Sequence, residues 1–417
     1  MNKSIITDTM CFSAADILLP REDDLQRWAV IACDQFTSQP DYWAEVKRLT
    51  ENRYSAYHLI LPEAELGLDT TARTETIHET MLQYLNGGYF RIFPDSFIYT
   101  ERTLMNGEVR RGLLGKVDLE RYDYTGSRDS EVRATEETVT ERIPPRMRVR
   151  RNAALELPHV LLLCDDDRYE LIEPLAEVKE QLTKLYEFNL MLDGGHVAGW
   201  LVTGREKESL LRKIAEYEKY EQQKHFGNKL VYAVGDGNHS LATAKACYEE
   251  LKERNPGLDI QNHPARYALC ELNNIHDPSQ TFEPIHRLIK KCNAEKLICD
   301  MNTELDNAEG IAIPWMSGVR KGVLRVSVSD GRLPLAILQA FLDRWLTENT
   351  GELDYIHGAE TLRTLSECNE NVGFLLPAPQ KESLFPGILS GGVLPRKTFS
   401  MGEAEEKRYY LEARKIL

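Results

Sequence analysis

The sequence predicts an α/β or α+β protein in which mixed sheets carry flanking helices. Three observations predict it. Residues 229–234 are β-branched and apolar, as a buried strand requires, and from Leu241 the apolar spacing becomes helical, with Leu241, Ala244, Tyr248 and Leu251 on one face. Asn106-Gly107 separates two runs, 97–103 and 109–117, that read as strands of a hairpin. Further short apolar runs alternate with amphipathic stretches along the chain, with no internal repeat or low-complexity tract. Three tentative lobes follow: 1–165, 166–300 with the strand–turn–helix, and 301–417.

Composition sets outer bounds. The 417 residues leave room for a large core, and 42% hydrophobic with 28% charged residues is the balance of a globular protein. A formal net charge of −15 argues against nucleic acid as a partner, because a phosphate backbone demands a basic face. No stretch approaches the roughly 18 apolar residues of a membrane span. The eight cysteines are dispersed without a Cys-x-x-Cys pair, the usage of reduced thiols in a cytoplasm; no metal site is expected from them.

In chain order, residues 28–33 read as a buried strand that runs into Asp34-Gln35, polar groups suited to a ligand rim. Thr37 or Ser38 equally suits the cap of a helix whose first turn holds Pro40. Residues 57–62 read as another short strand, with His58 a core histidine. After the hairpin comes a basic, threonine-rich run that includes Arg128, Arg133, Glu136, Arg142, Arg146, Arg148, Arg150 and Arg151. Its arginines present forked donors for carboxylate or phosphate, or form a solvated face neutralised by neighbouring glutamates. Residues 159–164 read as a strand ending in three aspartates, most simply a solvated turn. Helices are expected over 172–188 and 207–223, and over 336–347 nearer the C-terminus. Strands are expected at 266–272, followed by the polar pair His286-Arg287, and at 323–328. Near the end, Arg396-Lys397-Thr398 beside glycines can wrap an anion.

The densest chemistry is Gly235-Asp236-Gly237-Asn238-His239-Ser240. Two glycines permit a turn that side chains would block, and Asn238 or Ser240 can cap the helix. A helix start favours anions, phosphates above all. The same residues also suit an ordinary turn. A Gly-Lys-Ser/Thr phosphate loop is absent, and the dinucleotide fingerprint is only nearly met, with Ser240 at its third position and Asp236 where pyrophosphate would approach.

This loop, together with Pro284-Ile285-His286-Arg287, Arg110-Arg111-Gly112, Thr135-Glu136-Glu137-Thr138 and Pro395-Arg396-Lys397-Thr398, resembles a bacterial and archaeal family, domain-of-unknown-function family 1015, over nearly the whole chain. The family signature is Asp-Gly-His-His-Arg; here Asn238 and Ser240 replace its first histidine and its arginine. The signature is in turn similar to the loop of the ParB and sulfiredoxin superfamily, which includes free-serine kinases and holds nucleotide phosphates at a helix start. The resemblance implies a nucleotide-binding element around 229–250, with ATP or ADP as cofactor, Mg²⁺ bridging, and a small anionic metabolite or nucleotide as partner. Position by position the resemblance carries over Gly237 and His239 only; taken with the residue readings above, Asp236, His239 and Glu136 are the catalytic candidates. Gly235, Gly237, Asn238, Ser240, Arg142, His286, Arg287, Arg396, Lys397, Thr398, Asp34 and Gln35 are the ligand-binding candidates. Phosphotransfer to a small hydroxyl metabolite such as serine is the leading expectation. A non-catalytic regulator and a phosphomonoester hydrolase are the alternatives.

Overall fold

The computed structural model describes residues 10–21, 24–37, 39–65, 70–138, 140, 143–225, 227–257, 259–328 and 333–417. They form a mixed α/β chain in two compact units: one takes in the chain up to Ala134, Thr138–Gln280 and Glu403–Leu417, the other Thr135–Glu137 and Thr281–Gly402. These borders differ from the three lobes read in sequence, because both units are assembled from segments distant along the chain.

The first unit is built on a sheet of eleven strands among the described residues. Its order runs Thr183–Asn189, His196–Val202, Phe90–Thr103, Val109–Asp118, Tyr267–Asn274, Leu161–Cys164, Tyr232–Asp236, Val132–Ala134, Tyr122–Asp123. Phe12–Ser13 and Ala15–Pro20 pair alongside the central hairpin strands. Asn106-Gly107 turns that hairpin, with Thr103 opposite Val109 and Gly107 at φ 85°, a conformation glycine adopts without strain. Tyr232–Asp236 runs parallel to Val132–Ala134 and antiparallel to Leu161–Cys164. A register shift after Val234 sets Asp236 opposite Leu161, which brings the turn that follows beside residues 159 and 160.

Helix Asn238–Arg254 buries Leu241, Ala244 and Tyr248 of the face its spacing predicts in the core of this unit, and leaves Leu251 half-buried. The cap differs from expectation. Gly237, at φ 78°, occupies the N-cap position and no side chain caps the helix, so neither Asn238 nor Ser240 fills that role.

Other local readings give way to longer-range pairing. Trp28 ends a short helix, Leu25–Trp28, and the strand shrinks to Val30–Ile31. Residues 56–59 form a 3-10 turn instead of a strand, with His58 Nε2 against the carbonyls of Thr50 and Arg53. The helix Pro40–Thr50 does start at its proline, with Gln39 as N-cap. The helix expected over 172–188 breaks into Pro174–Val178, a 3-10 turn and the strand Thr183–Asn189. That strand gains a full ladder with His196–Val202, which outweighs the weak helical preference of its alternating residues.

The C-terminal segment returns to the first unit. Tyr409–Tyr410 pairs with Val30–Ile31, Arg414–Lys415 with Leu155–Glu156, and the fully buried Trp28 donates its indole N–H to Leu411 O at 2.8 Å. The second unit has its own sheet, of six strands among the described residues, in the order Arg320–Val326, Ile311–Ser317, Val372–Phe374, Phe282–Lys290, Glu352–His357, with Phe399–Met401 also on Phe282–Lys290. Helices Ala294–Leu305 and Pro334–Glu348 cover it, with Leu297, Met301, Leu338, Leu342 and Trp345 in the core. No described helix is long and apolar enough to cross a membrane. All eight cysteines are free.

Candidate functional site

The strand Tyr232–Asp236 delivers Asp236 to the head of helix Asn238–Arg254. Asp236 Oδ1 accepts the N–H of Gly237 at 2.9 Å, and Oδ2 lies 3.2 Å from Lys407 Nζ. Lys407 comes from the returning C-terminal segment and is itself buried. An ammonium therefore stands beside the turn, close to where a helix start already favours negative charge. The turn is tight: a Cβ on Gly237 would stand 3.0 Å from Val160 Cα and 3.3 Å from His159 Cδ2. Only glycine fits this close approach without strain.

His159 is buried at the start of the neighbouring strand, and its Nδ1 is 2.8 Å from the hydroxyl of Tyr410, which also accepts the N–H of Cys33 at 3.2 Å. Asp34 is half-buried and bonded to Gln35 Nε2 at 3.1 Å. Burial raises its carboxyl, but His159, Gln35 and Lys407 outweigh that and hold it below the ordinary range. Asp34, Asp236, His159 and Lys407 thus form one electrostatic group. Cys33 is not a nucleophile here, since burial and the Asp34 charge push its thiol up to about 12.

Beside this group lies a cavity of about 140 Å³. Ser240, Thr243, His159, Tyr410 and Cys33 form its polar side; Leu59, Leu61, Met81, Val149 and Ala153 form its apolar side. Arg146 and Arg150 also line it, paired with Glu63 and Glu156 respectively. Two stretches singled out in sequence, the arginine run and the segment at Cys33-Asp34, therefore meet the turn through one cavity. Asn238 and His239 lie half-buried in the first helical turn, and Gly235 is the last but one residue of the strand. Arg142 lies outside the described residues.

The remaining candidates belong to the second unit, where they hold backbone. Glu136 accepts the N–H groups of Lys397 and Thr398, each at 2.9 Å. Burial raises its carboxyl, and those amides draw it only part of the way back. Arg287 is fully buried; it donates to Gln339 Oε1 at 2.6 Å, Ile285 O at 2.7 Å, Lys397 O at 2.9 Å and Arg396 O at 3.0 Å. His286 is buried, accepts the N–H of Leu376 at 3.1 Å, and is lowered to about 4 by burial and Arg287. Thr398 bonds Pro395 O at 2.5 Å, while Arg396 and Lys397 are exposed, Arg396 bonded to Tyr355 OH at 2.7 Å. Glu136, read in sequence as a base, and Arg287 and Thr398, read as ligand groups, spend polar atoms on the turn at 395–398, while His286 accepts from Leu376. Lys407, His159 and Tyr410 had no local signal in sequence. The three aspartates at 165–167 border a separate acidic groove, and no group of three or more His, Cys, Asp or Glu among the described residues gathers to hold a metal ion.

The model of a family described as "Protein of unknown function (DUF1015)" matches residues 14–414. A search of curated proteins gives no match. Among solved structures, a free serine kinase in complex with AMP is similar at 12% identity and a TM-score of 0.39, covering 72% of this chain and 91% of that one. SbnI with a C-terminal truncation, from Staphylococcus aureus, is similar at 8% identity and 0.37, covering 69% and 82%. A conserved hypothetical protein from Pyrococcus furiosus is similar at 12% and 0.33, covering 71% and 90%. Likeness this distant transfers no residue role.

Proposed function

The chain belongs to the DUF1015 family, and because that family's description assigns no activity, we propose from the site itself that the protein binds a phosphorylated ligand at the 235–240 turn and transfers a phosphoryl group from a nucleotide to the hydroxyl of a small metabolite. The observation that carries this reading is the buried Lys407 beside Asp236 at the start of a helix that no side chain caps. Backbone amides and an ammonium in one place suit phosphate oxygens and the charge that shifts among them during transfer.

The residues divide the work as follows. Gly237 keeps the turn close enough for backbone to approach the phosphate. Asp236 holds Lys407 in place, its carboxylate engaged by that lysine and by the Gly237 N–H. Asp34, the half-buried carboxylate near the same lysine, is the better-placed base. The acceptor hydroxyl oxygen forms the new bond to phosphorus as the bond to the nucleotide's bridging oxygen breaks, and the hydroxyl proton passes to Asp34 and on to solvent. Ser240 and the cavity next to it receive the uncharged part of the ligand. Asp34 or Asp236 would be the carboxylate to hold a magnesium ion that arrives with a nucleotide, and the ion would neutralise phosphate charge there.

The loop's similarity to the ParB and sulfiredoxin superfamily makes ATP, ADP and free serine the first ligands to try. Calorimetry with ATP, ADP and pyrophosphate, each with and without Mg²⁺, tests binding, and a phosphotransfer assay on serine and other small alcohols tests turnover. Saturable binding with turnover supports the reading. Binding without turnover makes the protein a nucleotide-dependent regulator, a reading favoured by the engagement of both Asp236 oxygens. Failure of every phosphorylated ligand to bind overturns both.

A further inference from the structure

A second cavity lies within the first unit, where charged side chains meet the apolar Leu190, Val197 and Leu411. It measures about 20 Å³ and is lined by Thr100, Arg102, Arg110, Tyr186, Glu271, Arg408 and Glu412 among others. A space of this size holds one water or one monatomic ion and excludes a phosphate or carboxylate group.

Two of the three guanidiniums that line it touch no carboxylate directly. Arg408 pairs with Glu271 at 2.9 Å and Glu412 at 2.6 Å, which accounts for both lining carboxylates. Arg102 meets no carboxylate: its guanidinium donates to the backbone carbonyls of Gly194, Glu405, Glu406 and Lys407. Arg110 donates to Glu406 O at 2.9 Å. Three guanidiniums thus face two carboxylates. Glu406, whose carboxylate acts on both Arg102 and Arg110, and the Asp236–Lys407 pair lie nearby, outside the lining. Arg110 and Arg408 are 5% and 6% exposed, and the buried Nε–H of each has no protein acceptor. Burial and the neighbouring Arg110 push Arg102 down to about 9, as expected where like charges are crowded out of water. A buried donor without an acceptor costs free energy, and an uncompensated buried cation costs more.

We propose that this cavity binds a monovalent halide, chloride under ordinary conditions, on the Nε–H groups of Arg110 and Arg408. The ion supplies an acceptor for both Nε–H groups at once. It has a structural consequence, because Arg102 and Arg110 hold the carbonyls of residues 405–407, the segment that carries Lys407 to Asp236. Halide binding therefore steadies the lysine of the candidate site, although the proposal stands whether or not that site transfers phosphate.

The test uses the whole unmodified protein. Crystals grown or soaked in bromide should show an anomalous peak in this cavity, and the melting temperature should rise saturably with chloride or bromide but not with gluconate at the same ionic strength. Arg110→Gln should weaken the halide response roughly tenfold or more, by loss of a charge-assisted donor. If that variant fails to fold, the bromide experiment on the natural chain still decides. No anomalous peak together with identical melting in chloride and gluconate would mean that the cavity holds water only, and the proposal would fall.

Discussion

Lys407 Nζ stands 3.2 Å from Asp236 Oδ2, joining the returning C-terminal segment to the turn at the head of helix Asn238–Arg254. The two residues have opposite expected effects on an anionic ligand. Lys407→Met removes an ammonium and leaves the Asp236 carboxylate facing the ligand. Binding of ADP or pyrophosphate should weaken about ten- to a hundredfold, the size of a charge-assisted bond of about 1.5–3 kcal/mol. Asp236→Asn keeps the shape and frees the lysine, so affinity should hold or rise. Calorimetry on both variants checks this, and equal losses in both would show that the pair is purely structural.

Gly237 makes a separable prediction. At φ 78°, with Val160 Cα 3.0 Å from where a Cβ would stand, Gly237→Ala meets strain and crowding together. The expected cost is about 1–3 kcal/mol in denaturant unfolding. Gly237→Asn should suffer less of the conformational part, because asparagine tolerates the left-handed region better than alanine, though the crowding remains. If alanine is neutral, the turn has more freedom than its geometry shows.

Glu218 gives a pH prediction. It is 3% exposed, and its carboxylate accepts the N–H groups of Cys11 and Phe12 and the hydroxyl of Tyr232. Burial raises its carboxyl; those donors draw it part of the way back, to about 7. The folded state therefore holds a proton on Glu218 where the unfolded state, ionising near 4.5, has lost it. The native state binds more protons in that window, so this group's contribution to stability is full below about pH 4.5 and declines as pH rises through about 7, by about 3 kcal/mol in all. Glu218→Gln should remove that slope. Urea midpoints at pH 5 and pH 8 for both proteins measure it, and parallel profiles would place the carboxyl near its ordinary range.

These residues show why part of the architecture was legible in sequence and part was not. The strand–turn–helix around 235–240 announces itself locally, since an apolar, β-branched run meets a helical period across two glycines. The hairpin at Asn106-Gly107 is equally local. Lys407 sits in a charged stretch with nothing nearby to distinguish it, and it reaches Asp236 only because Tyr409–Tyr410 pairs with Val30–Ile31. His159 looked like the start of a strand, and its contact with Gly237 depends on a register shift that no local pattern encodes. Glu136 and Arg287 show a related ambiguity. A charged side chain that holds distant backbone has the same sequence signature as one that holds a ligand.

That ambiguity supplies the last prediction. Glu136 and Arg287 grip the turn at 395–398 from its two kinds of polar group: the carboxylate takes the N–H groups of Lys397 and Thr398, while the guanidinium gives to the carbonyls of Arg396 and Lys397. Glu136→Gln puts an amide NH₂ where an acceptor is needed, so one backbone donor loses its partner at a cost of about 1–3 kcal/mol. Arg287→Met strips both carbonyls of their donors and should cost at least as much. In each variant the exposed Arg396 and Lys397 should become faster sites of tryptic cleavage, because the turn that presents them opens more often. A base would behave differently: Glu136→Gln would then abolish phosphotransfer while unfolding and cleavage rates stayed at those of the natural protein. Faster cleavage at 396–397 with any activity only partly reduced assigns Glu136 to holding the turn, and the opposite pattern returns it to the chemistry.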